Sequence, residues 1–156
     1  MQNFKIDWPT IITDTYCLSY RINRQYGSPD IIVFLGRGAL FIASVASHVL
    51  GVKDVFNLGM RSYQDTERSN IKIIQDLGNN FCKLAKNKKI LVLDELSDTG
   101  NTLYMAKNIL DKCSLQQVIY ATLYIKHDTS FVPDVFIKGF DKKTWLDFPW
   151  EYDIIK

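Results

Sequence analysis

Residues 90–102 read Ile90-Leu91-Val92-Leu93-Asp94-Glu95-Leu96-Ser97-Asp98-Thr99-Gly100-Asn101-Thr102. Four consecutive aliphatic residues predict a strand buried on both faces, as in a parallel sheet. Two adjacent carboxylates stand at its C-terminal tip. Asp-Thr-Gly-Asn-Thr then opens a helix whose inner face is marked by Leu103, Ala106, Leu110 and Cys113. Thr99, Gly100 and Thr102 can present backbone N–H groups and hydroxyls to an anion at that helix N-terminus, where the helix dipole also favours negative charge. Carboxylates beside such a cradle would repel the anion unless they bind hydroxyls or a metal ion. The combination suits a sugar phosphate, with hydroxyls on the acids and phosphate on the loop. Helix capping by Asp98 or Thr99 would account for one residue and not for the whole constellation. The segment has neither the G-x-x-x-x-G-K-[ST] nor the G-x-G-x-x-G spacing of the common nucleotide folds.

The same alternation extends outward. Pro9 suits the first turn of a helix, and Ile11, Thr15, Leu18 and Ile22 recur at helical spacing up to Tyr26. Ile31–Leu35 reads as a second buried strand, ending in Gly36-Arg37-Gly38. Leu40–Leu50 is apolar nearly all round and is expected to be an interior helix closed by Gly51. Val55–Met60 and residues 71–77 read as strands, separated by a polar loop at residues 61–70. Val118–Ile125 and Val135–Phe140 complete the set. Buried strands alternating with helices predict an α/β fold with a mainly parallel central sheet flanked by helices. Ligands of such sheets bind beyond the carboxyl ends of the strands, which directs attention to the loops after Leu35, Met60, Leu93 and Ile125.

Composition narrows the class further. The chain has 156 residues, 47% hydrophobic and 23% charged, which fits one folded domain rather than a disordered chain. Nineteen basic against seventeen acidic residues leave a net charge of +2, so no polyanion is bound by bulk charge alone. The cluster Lys83, Lys86, Lys88 and Lys89 reads as a solvated turn, and no nucleic-acid partner is expected. No signal peptide is expected from MQNFKIDWPT, and no apolar run approaches the roughly 20 residues that span a bilayer. Cys17, Cys82 and Cys113 are widely spaced and lack a C-x-x-C, so reduced thiols and a cytoplasmic protein are expected, with neither a disulfide nor a zinc site.

Residues 90–102 resemble the phosphoribosyl-pyrophosphate signature of the type I phosphoribosyltransferases, with Asp94-Glu95 where that family usually has an acid followed by Asp. The resemblance implies that Asp94, Glu95, Leu96, Ser97, Asp98, Thr99, Gly100, Asn101 and Thr102 contact phosphoribosyl pyrophosphate. It also implies that Asp94 and Glu95 engage Mg2+ and that Asp98 is the catalytic base. Gly36-Arg37-Gly38 resembles the family's pyrophosphate loop, often strained by a cis peptide. Its second glycine is Ala39 here, so Arg37 and Gly38 carry over. Ser62-Tyr63 resembles the flexible loop of the purine branch, with Arg68 and Lys72 placed to add positive charge.

Lys126, at the end of a strand, is implied as a donor to the 6-oxo group of a purine, whereas His127 is expected to be a solvated loop residue. Trp145-Leu146-Asp147-Phe148-Pro149-Trp150-Glu151 closely resembles the C-terminal hood of bacterial xanthine-guanine (hypoxanthine) phosphoribosyltransferases. There Trp145 would stack on the base and Leu146 would offer backbone groups to its 2-position edge. The expectation is a single domain over residues 1–156. Its hood comes from about residues 134–156 and the N-terminal segment. It salvages a 6-oxopurine with Mg2+ in the cytoplasm as a homodimer or homotetramer. The alternatives are a phosphoribosyltransferase for another base, or a regulator of the same fold that senses phosphoribosyl pyrophosphate and binds nucleic acid.

Overall fold

The aliphatic runs expected to be strands alternate their side chains between two helical layers. In the computed structural model, which describes residues 2–65 and 68–151 and the side chains of all of these except 2, 62–65 and 68–70, a strand at Ile31–Gly36 (β2) shows the principle. Ile32 and Phe34 join a core with Ile11, Leu18 and Ile22 of the helix Trp8–Tyr26 (α1) and Ile42 and Ala46 of the helix Leu40–Leu50 (α2). Ile31, Val33 and Leu35 join the opposite core, with Phe81 of the short helix Phe81–Leu84 (α3) and Leu103, Ala106 and Leu110 of the helix Asn101–Leu110 (α4). The two-residue period of a strand thus produces the three layers.

The remaining strands are Gln2–Lys5 (β1), Asp54–Asp65 (β3), Arg68–Gln75 (β4), Lys89–Ser97 (β5), Gln117–Lys126 (β6), Val135–Phe140 (β7) and Thr144–Asp147 (β8). The main sheet has the order β4-β3-β2-β5-β6-β7 and is parallel except for the antiparallel β3–β4 pair. From β2 the chain moves outward to β3, and from β5 it moves the other way to β6. The topological switch therefore falls between β2 and β5, where α/β sheets open a crevice at their carboxyl ends.

Four expectations are corrected. Residues 61–70, read as a polar loop containing Ser62 and Tyr63, belong largely to a hairpin: Tyr63 pairs with Asn70, Gln64 with Ser69 and Asp65 with Arg68. Polar residues tolerate a solvated antiparallel edge as readily as a loop, so composition did not separate the two. The α2 helix is not buried all round, since Leu40 and Phe41 are 52% and 44% exposed. Of the segment assigned to the hood, residues 135–140 lie in the main sheet as β7, and the separate piece is a two-stranded parallel pair of β1 and β8. Finally, Cys82 and Cys113 are joined by a disulfide, with Cα atoms 4.9 Å apart, and only Cys17 is free among the cysteines. Thirty-one residues separate them in sequence, but α3 and the turn after α4 pack on the same face. No helix among the described residues is long and apolar enough to cross a membrane.

Candidate active site

At the switch point the chain leaves β2 through Gly36-Arg37-Gly38, with a cis Gly36–Arg37 peptide, and β5 carries Asp94 and Glu95 opposite. A cleft of about 270 Å³ lies between them, lined by Arg37, Gly38, Asp94, Glu95, Asp98 and Thr102 among others. The sheet thus brings two distant sequence segments to one edge.

Asp94 is buried, and its Oδ1 accepts a hydrogen bond from the Glu95 N–H at 2.9 Å. Burial, and then the neighbouring Glu95 charge, hold the Asp94 carboxyl well above the usual carboxylate range. Burial also raises Glu95. Its carboxylate lies directly against Gly38, where any Cβ would overlap it, and its Oε2 is buried without a hydrogen-bond partner. An acid whose folded value exceeds its unfolded one keeps its proton longer in the folded state, so stability falls as pH rises between the two values. Asp94→Asn retains the Oδ1 acceptor and removes the charge. It is expected to flatten this slope and to raise the melting temperature of the ligand-free protein at pH 7. Thermal melts from pH 4 to 8 check this, and an unchanged slope would remove Asp94 as its source.

The loop after β5 exposes Asp98, Thr99 and Asn101, and Thr102 is half-buried. Gly100 has φ +90° and its carbonyl accepts from Tyr104 N–H at 3.0 Å, which starts α4. Thr99 Oγ1 accepts from Asn101 N–H at 3.4 Å. Among the expected contact residues, the Ser97 hydroxyl donates to the Phe131 carbonyl at 2.8 Å and shares a hydrogen bond with the Thr129 hydroxyl at 2.9 Å, and Leu96 packs against the core while also lining the cleft. Ser97 holds the loop from behind.

Lys126 ends β6 and is only 4% exposed; its Nζ donates to the Thr144 carbonyl. The next residue on β8, Trp145, is 56% exposed, whereas Leu146 is buried. Lys142, in the turn before β8, pairs with Asp128 at 2.9 Å. Hydrogen bonding to Asp128 holds the Lys142 ammonium above its ordinary value, and Asp98 adds to the shift through its charge. His127 is exposed, with its ring across Gly139 and its N–H donating to the Phe140 carbonyl at 2.9 Å. Phe148 and Trp150 stack at 4.9 Å, Trp150 stacks on Phe41 at 5.5 Å, and Phe41 meets Trp8 edge-on at 4.9 Å. The backbone at Ser62, Tyr63 and Arg68 is in the hairpin, and their side chains lie outside the described residues.

Residues 7–154 match the family model described as the phosphoribosyl transferase domain. The chain belongs to this family. It is similar to the purine phosphoribosyltransferase from Pyrococcus horikoshii, at 26% identity and a TM-score of 0.83 over 100% of this chain and 99% of that one. It is also similar to the xanthine-guanine-hypoxanthine phosphoribosyltransferase of Helicobacter pylori, at 26% identity and a TM-score of 0.79 over 97% and 96% of the two chains. A hypoxanthine phosphoribosyltransferase from Staphylococcus aureus shares the fold, with 20% identity and a TM-score of 0.70 over 84% and 73%.

The protein is thus an enzyme of the phosphoribosyltransferase class with the type I fold. Its acid pair fits a divalent cation in chemistry: two hard carboxylates at one strand end, one with an oxygen that lacks any partner. No cluster of three or more potential ligands occurs among the described residues. Sequence reading missed Thr129, Ser130 and Phe131, which buttress the phosphoribosyltransferase loop, and Lys142. None belongs to a motif; the first three act where the β6–β7 connection meets the loop, and Lys142 through its pairing with Asp128.

Proposed function

We propose that this phosphoribosyltransferase transfers the 5-phosphoribosyl group of phosphoribosyl pyrophosphate to a 6-oxopurine (guanine, xanthine or hypoxanthine), giving the nucleoside monophosphate and pyrophosphate. The observation that carries this reading is that Lys126 is bonded to the Thr144 carbonyl, next in the chain to the exposed Trp145. An ammonium donates to an acceptor such as a 6-oxo group, whereas adenine offers an amino donor there. An exposed indole ring beside it gives the base a face on which to stack. Similarity to the Pyrococcus and Helicobacter enzymes supports the same substrate class. The proposal covers one transferase domain with the β1–β8 pair as its hood. It places the protein in the cytoplasm, because a multiply charged sugar pyrophosphate does not diffuse through a bilayer. It includes assembly as a homodimer or homotetramer, supported by the exposed Trp8, Ile12, Tyr16, Leu40 and Phe41.

In this reading the N–H groups at the start of α4 and the hydroxyls of Thr99 and Thr102 hold the 5-phosphate. Asp94 and Glu95 face the ribose hydroxyls and are the residues that would hold Mg2+, which when bound offsets pyrophosphate charge. Arg37 takes part of the charge that appears on pyrophosphate as the C1–oxygen bond breaks. The purine nitrogen forms the new bond to C1, and Asp98 accepts the proton that this nitrogen loses. Trp145 and Lys126 fix the plane and rotation of the base, so the nitrogen meets C1 in line. The testing experiment is a Mg2+-dependent assay of pyrophosphate release with phosphoribosyl pyrophosphate and a panel of purines and pyrimidines. Turnover confined to 6-oxopurines is expected, and preference for adenine or a pyrimidine would overturn the base assignment.

Trp145→Ala is expected to raise KM for the base roughly 5- to 150-fold, from a stacking contribution of about 1–3 kcal/mol. KM for phosphoribosyl pyrophosphate should change less than about twofold, since Trp145 stands on the hood and not on the loop. Initial-rate kinetics with each substrate varied in turn check the split, and equal losses would count against stacking.

A further inference from the structure

The connection between β6 and β7 is bonded both to the hood and to the phosphate loop. At its start, Lys126 reaches the Thr144 carbonyl and Asp128 pairs with Lys142. Two residues after Asp128 the contacts turn to the loop. Ser130 donates twice to one acceptor, the Thr99 carbonyl, from its N–H at 3.0 Å and from its Oγ at 2.6 Å. Ser130 is itself held from α4, because Tyr104 Oη donates to the Ser130 carbonyl at 3.1 Å. Phe131 lies so close to Gly100 that a Cβ there would come within 2.5 Å of its nitrogen.

The Thr99 carbonyl belongs to the peptide that ends in the Gly100 N–H, so its direction fixes where that N–H points. Two donors on one side of the carbonyl turn the N–H to the other side. Thr102 lines the cleft, and Thr99, before it in the chain, is exposed. Ser130 has no role in the mechanism set out above and belongs to no motif.

We propose that Ser130 is a positioning residue of the phosphate subsite: through the Thr99 carbonyl it aims the loop amides at the 5-phosphate of the substrate. It does not touch the substrate. The inference rests on the proposed placement of the 5-phosphate on residues 98–102. Because this connection follows directly on Lys126 and carries Asp128, it also ties the loop to β8 and the turn before it.

The test is steady-state kinetics of Ser130→Ala and Ser130→Thr, paired with the rise in melting temperature that ribose 5-phosphate induces in each. Ser130→Ala is expected to raise KM for phosphoribosyl pyrophosphate about fivefold, with kcat and KM for the base changed less than twofold. The ribose 5-phosphate dose needed for half of the thermal shift should rise by the same factor. Ser130→Thr keeps the hydroxyl and should restore both values. Tyr104→Phe, which frees the Ser130 carbonyl, should move the same two readings in the same direction by less.

A wild-type KM in Ser130→Ala, or equal losses for both substrates without rescue by threonine, would overturn the proposal. If Ser130→Ala does not fold, the outcome passes to Tyr104→Phe, where wild-type values would overturn it. Should the unmodified protein turn over purines yet give no thermal response to ribose 5-phosphate, the phosphate placement fails. Should it turn over no purine at all, the functional reading fails instead.

Discussion

Asp98→Asn is expected to lower kcat by about 10²- to 10⁴-fold, the usual contribution of a positioned acid–base group. KM for phosphoribosyl pyrophosphate should change less than about threefold. Asparagine preserves the size of the side chain and its acceptor oxygen, so the loop keeps its shape, but the amide cannot take up the proton that the purine nitrogen loses. Asp98 lines the cleft and is exposed. Rapid-quench measurement of a single turnover locates the loss in the chemical step. Wild-type turnover would assign the proton to another acceptor.

Gly100→Ala should damage both stability and substrate binding. The backbone there has φ +90°, and the added Cβ would lie 2.5 Å from the Phe131 nitrogen, 2.8 Å from its Cβ and 2.9 Å from Ser130 Oγ. Left-handed backbone costs a non-glycine residue about 1–2 kcal/mol, and forcing an extra carbon into a filled space costs about 1–3 kcal/mol. A chain of this size loses about 2–4 °C of melting temperature per kcal/mol, so a fall of roughly 5–15 °C is expected. Relief of the clash must move the 130–131 segment or the loop, and either disturbs the amides at the start of α4. KM for phosphoribosyl pyrophosphate should therefore rise more than about tenfold. Gly78→Ala provides the control: φ is +80° there, but nothing lies within 4 Å of a Cβ, so only the backbone cost applies. Melts and kinetics of the two variants separate strain from collision, and equal effects would show that the space at Gly100 is unimportant.

Much of the site was legible from residues 90–102 because its signals are local. An aliphatic run, an acid pair and a Thr-Gly-Asn-Thr turn each have their physical meaning within a few residues. Gly36-Arg37-Gly38 is a weak signal by itself, because a turn before a helix is common, and Arg37 and Gly38 were singled out through the family resemblance. The polar hairpin was misread because exposed strand and exposed loop have similar composition, and only the register of β3 against β4 distinguishes them. The disulfide was missed because sequence separation carries no information about which surfaces α3 and the end of α4 share.

By itself the sequence determined the class of fold and which residue types stand at the strand tips, since hydrophobic period and turn chemistry act over neighbouring residues. The tertiary structure decided which tips meet. Only the order of strands places β2 beside β5, so that Glu95 lies against Gly38. Only the packing of the 126–131 connection turns Ser97 inward and sets Ser130 on Thr99. Such contacts join residues far apart in the chain and depend on the whole sheet forming, and for that reason no stretch of sequence announces them.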